Sequence, residues 1–324
     1  MSMSDYETEL KFAVKPEAIA AVITGLTAFP HQHFRAVRLT NSYFETADDT
    51  LRKWDMGLRI RGCDTEYEMT LKTAGNDIGG LHQRPEYNIP LSRPELDLTA
   101  LPAEVWPPET DVAALQSSLR ARFTTDFARE KWLLTVNNSV VEAVLDQGSV
   151  VSGAAECPIC EFEMELKAGS AADLLTAAKA LAELPGLRLA GRSKAARGYW
   201  LAQGAPVPEL PELFTDWEPQ TPLTDVVVRL IKQWQSLEEA WLLNADGALP
   251  ALRQTISLLL TMADRYPGAV PDFVRDCPLP DVAAALASAD AKPEDVCFSP
   301  VWLQCKLAFT QWVFALWMAA PAMP

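Results

Sequence analysis

The stretch YETELKFAV, from Tyr6 to Val14, alternates charged and apolar side chains. Residues i and i+2 of a β-strand share one face and lie roughly 6.5 to 7 Å apart. Glu7, Glu9 and Lys11 would therefore lie side by side on that face. Because the two carboxylates repel each other, this face is either open to solvent or turned toward a region that supplies positive charge.

The same alternation recurs in later segments of the sequence. Turn-forming residues separate these segments from one another. These segments read LTNSYFET, MGLRIRG, YEMTLKTAG, RPEYNIPL, EKWLLTV, SVVEAVLDQG and CEFEMELKAG. Like charges are grouped in them: Arg59 and Arg61 share a face, as do Glu161, Glu163 and Glu165. Such grouping is unfavourable unless a cation lies among the carboxylates and an anion among the guanidinium groups. If the charged faces all turn inward, the strands form a closed barrel with a polar interior and outward apolar faces under helices.

Helices are predicted between and after these strands. PEAIAAVITGL (16–26) opens with a proline, SAADLLTAAKALAEL (170–184) has a serine N-cap, and DVAALQSSLRARF (111–123) also has a helical pattern. Three prolines between Ala202 and Phe214 indicate a linker, after which the pattern is helical throughout. We therefore expect an α+β fold in three parts: a barrel domain (1–202), a linker (203–214) and an all-α domain (215–324).

Composition limits the classes of function. The formal net charge of −15 on 324 residues argues against nucleic acid as a partner, because a phosphate backbone requires a basic surface. An anionic ligand must then be met by a local positive site. The N-terminus lacks the features of a secretory signal, which predicts a cytoplasmic protein. The apolar segment 301–320 contains Lys306 and two glutamines, which favours a buried helix over a membrane span.

Histidine and cysteine offer little chemistry. Only three histidines are present, too few for histidine-rich metal sites and for most serine or cysteine triads. The six cysteines lack paired metal-ligand spacing, and the CPIC motif (157–160) leads into a strand rather than a helix, which argues against a redox role. The functional side chains are therefore expected to be carboxylates and basic groups.

A barrel interior with separate acidic and basic clusters suits a metal-chelated polyphosphate. Carboxylate oxygens bind Mg²⁺ or Mn²⁺, which also binds phosphate oxygens, and arginines bind the remaining oxygens in pairs. The sequence has no G-x-x-x-x-G-K-[ST] motif, which excludes a P-loop scaffold.

The chain resembles the CYTH superfamily, also called triphosphate tunnel metalloenzymes. ETELK matches the E-x-E-x-K signature of that family. The later pieces YFET, MGLRIRG, YEMTLK, GGLHQRPEYN, DFAREKW, LDQG, CEFEMEL and GRSKAARGY follow in the family's order. The resemblance covers residues 5–202 and is close to the bacterial inorganic triphosphatases that carry a C-terminal CHAD-like helical domain.

This resemblance implies an eight-stranded antiparallel tunnel that hydrolyses tripolyphosphate to pyrophosphate and phosphate with one or two Mg²⁺ or Mn²⁺ ions. It implies metal binding by Glu7, Glu9, Asp146, Glu161, Glu163 and Glu165. It implies phosphate binding by Lys11, Arg59, Arg61, Lys72, Arg84, Arg129, Lys131 and Lys194. Lys11 or Lys72 would orient or activate the attacking water.

Several assignments stay open at this point. Arg129 and Lys131 alternate with apolar residues, which leaves their inward placement undecided. Lys194 follows Ser193 and could simply begin a capped helix, whereas His82 is interpreted as a loop residue. Alternative functions are thiamine triphosphatase, nucleoside triphosphatase, class IV-type adenylate cyclase and a non-catalytic polyphosphate-binding module.

The helical part departs from the CHAD pattern. Residues 203–324 contain no histidine, and seven Lys and Arg face fifteen Asp and Glu. The segment is also short for a CHAD domain, so it would be degenerate or truncated. This composition argues against polyphosphate binding there and favours packing on the tunnel or homodimer formation.

Overall fold

The computed structural model describes residues 5–78, 81–266 and 268–319. Within these ranges, ten strands form one sheet. They are β1 (Asp5–Val14), β2 (His31–Glu45), β3 (Gly57–Cys63), β4 (Glu66–Lys72), β5 (Asn76–Ile78), β6 (Leu81–Leu91), β7 (Arg120–Val136), β8 (Ser139–Ser152), β9 (Ala155–Ala168) and β10 (Leu187–Leu189).

Eight of the strands close into a barrel. Their order is β1-β9-β8-β7-β2-β3-β4-β6, and β6 pairs with β1 to complete the circle. Every pairing in this circle is antiparallel. The short strands β10 and β5 extend the sheet beside β1 and β6. The closed antiparallel barrel is therefore confirmed.

The helices flank the barrel and continue beyond it. They are α1 (Ile19–Thr27), α2 (Thr50–Lys53), α3 (Val112–Ser118), α4 (Ala171–Ala180), α5 (Lys194–Ala202), α6 (Leu223–Leu242), α7 (Ala248–Leu260), α8 (Met262–Arg265), α9 (Asp272–Arg275), α10 (Leu279–Ala287), α11 (Pro293–Cys297) and α12 (Pro300–Ala319). The helix predicted over 111–123 was too long. It ends at Ser118, because β7 begins at Arg120 and pairs with both β2 and β8, and this pairing overrides the local helical pattern.

The apolar faces of the strands point outward, as predicted. Phe12, Phe162 and Met164 are fully buried outside the barrel and belong to one cluster with Val22 of α1 and Leu175 of α4. The outward face therefore forms a core with the helices, and the charged faces of the same strands are left to the interior.

Helix α5 packs closely against aromatic side chains of β2 and β7. The Phe123 ring stacks on Tyr43 at 4.7 Å between centroids and meets Tyr199 edge to face at 5.1 Å. Gly198 allows this approach, because a Cβ atom added there would lie 2.0 Å from Phe123 Cδ2. The absence of a side chain at Gly198 thus lets α5 pack on the barrel with Lys194 one turn earlier on the same face.

Gly198→Ala is expected to lower the free energy of unfolding by about 2 kcal/mol, because the added methyl group must displace the Phe123 ring. Urea unfolding followed by tryptophan fluorescence measures this difference. Gly57→Ala is the control: nothing lies within 4 Å of a Cβ atom added there, so a change below about 0.5 kcal/mol is expected. Equal stability of the Gly198 variant and the native protein would contradict this packing.

The region after α5 forms a second apolar core, called the helical core below, that also contacts the barrel. Residues 203–222, all of them described, contain neither helix nor strand. Trp302, Phe309 and Trp312 of α12 are buried in the helical core, whereas Leu303 and Leu307 of the same helix belong to the barrel's outer cluster. The buried C-terminal helix is thus confirmed. Within the described residues, no helix combines the length and hydropathy that a membrane span requires.

Candidate active site

The barrel interior contains a cavity of about 730 Å³, and side chains from all eight barrel strands border it. The cationic residues along its wall are Lys11, Arg52, Arg59, Arg61, Lys72, Arg84, Arg129, Lys167 and Lys194. The carboxylic acids are Glu7, Glu9, Asp55, Glu68, Glu86, Glu142, Glu163 and Glu165. The charged strand faces therefore meet around one compartment.

Carboxylates are concentrated on the wall that β1, β8 and β9 form. Glu9 pairs in register with Glu165, which pairs in register with Glu142 on the next strand. Burial raises the pKa of Glu165, and Glu7 and Glu142 add to the rise, against the opposing effect of Lys167. Glu9, Glu142 and Glu165 each have a lysine within 4 Å, yet the neighbouring carboxylates still repel one another, and a bound cation would relieve this repulsion.

Arginines are concentrated on β3 and β7, the two strands on either side of β2. Burial lowers the pKa of Arg61 to about 10, and the charges of Arg59 and Arg129 contribute to the decrease. Arg61 donates a hydrogen bond from Nε to Asn41 Oδ1 at 3.1 Å. In the part of the chain that the structure describes, Arg61 forms no ion pair, and Arg59 Nε is buried without a hydrogen-bond acceptor. The arrangement suits an anion with several oxygens.

Two lysines link the acidic wall to its surroundings. Lys11 Nζ lies 2.6 Å from Glu9 Oε1, and Lys72 Nζ lies 2.5 Å from Glu7 Oε2. Burial lowers the pKa of Lys11, but the carboxylates of Glu9 and Glu163 raise this pKa above its usual value. Lys11 is consequently protonated at neutral pH, so it can donate hydrogen bonds to a phosphate or a water but cannot accept a proton.

A buried ionic cluster lies beside the cavity, where Asp146, Glu161 and Glu163 approach within 4.8 Å of one another. Arg129 binds both oxygens of Asp146, at 2.7 and 2.6 Å. Lys194 Nζ lies 2.6 Å from Asp146 and 3.0 Å from Glu163, and it also contacts Glu161. Asp146 and Glu161 do not border the cavity, whereas Arg129 and Lys194 do. In this arrangement the two carboxylates hold these two cationic side chains.

The open assignments are decided as follows. Arg129 faces the interior, whereas Lys131 is outside the residues that border the cavity and lies 3.3 Å from Glu142. Ser193 caps α5 and Lys194 is its first residue, so Lys194 both begins a helix and reaches the cavity. The loop interpretation of His82 was wrong, because pairing with Glu9 and Asp77 places it within β6.

Sequence reasoning missed several residues that border the cavity. Tyr43 belongs to the predicted strand segment LTNSYFET, and Glu86 shares a face with Arg84, so alternation could have found both. No alternation pattern in the sequence indicated Arg52. It lies on α2, a single helical turn that Glu45 fixes by accepting hydrogen bonds from the backbone N–H groups of Leu51 and Arg52.

The fold and the site define a class of protein: a closed antiparallel barrel whose interior carries ionic side chains of both signs. The CYTH domain family model matches residues 5–199. The chain belongs to the CYTH domain family. The match ends before the helical region, so the CHAD-like interpretation of that region stays a prediction.

The inorganic triphosphatase of Haemophilus influenzae is 37% identical over 211 residues, which are 65% of this chain. The chain spans 57% of that relative's length. Among solved structures, HpAC1 from Hippeastrum is described as an adenylyl cyclase with a dominant triphosphatase activity. It is 20% identical to this chain, with a TM-score of 0.44 over 60% of this chain and 95% of that one. A Bacillus halodurans protein named for adenylate cyclase is 25% identical, with a TM-score of 0.36 over 53% and 86%. With TM-scores this low, neither likeness bears on function.

Proposed function

We propose that the protein hydrolyses inorganic tripolyphosphate to pyrophosphate and phosphate inside the barrel. The main support is that one cavity joins a wall of arginines, of which Arg61 forms no ion pair among the described residues, to a wall of carboxylates. A triphosphate bound with a divalent ion would meet the arginines with its oxygens and the carboxylates with the ion. The name of the Haemophilus influenzae relative, inorganic triphosphatase, agrees with this proposal.

The proposed metal is Mg²⁺ or Mn²⁺, as one or two ions. The available donors are carboxylate oxygens, which hard divalent cations prefer, and the repulsion at Glu165 supports a cation among them. Glu7, Glu9, Glu163 and Glu165 border the cavity and are the primary proposed ligands. Asp146 and Glu161 belong to the proposed set through their closeness to Glu163. A bound ion would neutralise charge that develops on the transferred phosphoryl group.

The basic residues divide into two proposed roles. The phosphate-binding set is Lys11, Arg59, Arg61, Lys72, Arg84, Arg129 and Lys194. Lys131 is left out because it does not border the cavity. Lys11 and Lys72 are proposed to orient the attacking water. Phosphoryl transfer requires mainly positioning and charge stabilisation, which a preorganised set of cations provides.

Substrate choice is tested by phosphate release from tripolyphosphate, ATP, thiamine triphosphate and long-chain polyphosphate, each with Mg²⁺, with Mn²⁺ and with EDTA. Tripolyphosphate is expected to give a kcat/KM at least about tenfold above each other compound, because the residues around the cavity are mostly charged. EDTA is expected to abolish turnover.

Comparable rates with ATP or thiamine triphosphate would favour the corresponding organic triphosphatase, and formation of cyclic AMP would favour a cyclase. Tight binding of polyphosphate without hydrolysis of any compound would favour a binding module. Full activity in EDTA would contradict metal dependence. A cytoplasmic location, homodimer formation and the division at residues 202 and 214 also remain proposals.

A further inference from the structure

The segment between β10 and α5 connects two of the proposed phosphate-binding lysines. Gly191, Ser193 and Lys194 border the cavity. The Ala190 N–H donates a hydrogen bond to the carbonyl oxygen of Lys11 at 2.8 Å. The position of this segment therefore determines where Lys194 enters the cavity relative to Lys11.

A glutamate of the helical region contacts the other side of this segment. Glu239 of α6 accepts a hydrogen bond from Arg188 Nη1 at 2.7 Å and another from Arg192 Nε at 3.2 Å. The Glu239 side chain also lies directly against Gly191, where an added Cβ atom would be 3.2 Å from Glu239 Cγ. One carboxylate thus joins residues on both sides of Gly191 and fills the space behind it.

This contact is well placed to fix the backbone. The Glu239 and Arg188 side chains are 14% and 10% exposed, so solvent screens their attraction less than it screens a surface ion pair. Arg188 also lies 3.3 Å from Glu238, which Lys306 of α12 approaches at 2.7 Å. The segment is therefore connected to two helices of the helical core.

Lys194 thus has two anchors of different origin. Its ammonium group is held by carboxylates of β8 and β9, and the backbone before it is held by Glu239 through Arg188 and Arg192. We propose that Glu239 is a positioning residue through which the helical region holds Lys194 in the cavity wall. The catalytic consequence of this inference rests on the proposed function, whereas the positional consequence does not.

The positional consequence is tested by amine acetylation of the full chain with peptide mass spectrometry. In Glu239→Gln, Lys194 is expected to be acetylated about tenfold faster than in the native protein, because the segment moves and exposes its ammonium group. Lys53, whose side chain is 65% exposed, is the reactive reference. Lys306, whose side chain is 2% exposed, should stay protected and reports on the helical core.

The catalytic consequence is tested by tripolyphosphate hydrolysis with the same variant. We expect kcat to fall about tenfold, since a small misplacement of a binding group reduces positioning, and KM to change less than about twofold, because the arginines of β3 and β7 are untouched. Arg192→Gln, which removes one of the two links, should shift both readouts in the same direction. Glu294→Gln, an exposed glutamate in α11, is the matched control and should resemble the native protein.

The outcomes separate the two claims. Native-like acetylation of Lys194 in both variants would overturn the inference. Faster acetylation with an unchanged kcat would overturn its catalytic consequence. Faster acetylation of Lys306 would also overturn it, because the effect would then be a general loss of packing. If the native protein does not hydrolyse tripolyphosphate, the proposed function fails, and the acetylation of Lys194 still decides whether Glu239 positions it.

Discussion

Glu7→Ala is expected to lower kcat/KM for tripolyphosphate at least about 100-fold, a typical consequence of removing a group that stabilises transition-state charge. Glu7 is a proposed metal ligand on the carboxylate wall, and its negative charge contributes to the raised pKa of Glu165. The variant should also require more Mg²⁺ for half-maximal activity. Initial rates at several Mg²⁺ concentrations measure both effects.

Stability should respond much less to this substitution. Removing Glu7 separates Lys72 from one carboxylate, but Glu86 remains 3.4 Å from Lys72 Nζ. The lost ion pair is offset by relief of repulsion at Glu165, so the free energy of unfolding should change by less than about 1 kcal/mol. Glu104→Ala, at an exposed position outside the cavity, is the control for activity. A large loss of stability with little loss of activity would mean that Glu7 is structural.

Arg61→Gln is expected to lower kcat/KM for tripolyphosphate about 100-fold, because a charge-assisted contact with the substrate is lost. The same substitution should leave the free energy of unfolding unchanged or raise it by roughly 1 kcal/mol. Burial and two neighbouring arginines disfavour the charged form of Arg61, which the lowered pKa reflects. Steady-state kinetics and urea unfolding measure the two effects.

A ligand-dependent stability measurement makes this prediction sharper. Tripolyphosphate should raise the Tm of the native protein, because the anion balances the arginine wall, and it should raise the Tm of Arg61→Gln much less. Arg122→Gln, at an exposed position on β7, should respond like the native protein. A variant that is less stable than the native protein yet fully active would show that Arg61 supports the barrel rather than the substrate.

Alternation in the sequence was sufficient for most of the barrel. Side chains of a strand alternate between its faces, so grouped charges at Glu7 and Glu9 or at Arg59 and Arg61 predicted which residues turn inward. A closed barrel was predicted because charged faces that all turn inward share one polar interior, with the apolar faces outward under helices. The residue-level errors have local causes: the helical pattern near Arg120 yielded to strand pairing, and His82 belongs to a strand whose pairing no local signal revealed.

The sequence alone thus determined the strand faces, the charged interior and the resemblance to the family, because these depend on local periodicity and on motifs in a fixed order. Only the tertiary structure decided which charges meet. Lys194 lies among Asp146, Glu161 and Glu163, and Glu239 of a distant helix contacts the segment before it. Such pairings depend on strand register and helix packing across the whole fold, and ionic attraction depends on distance in space rather than separation along the chain.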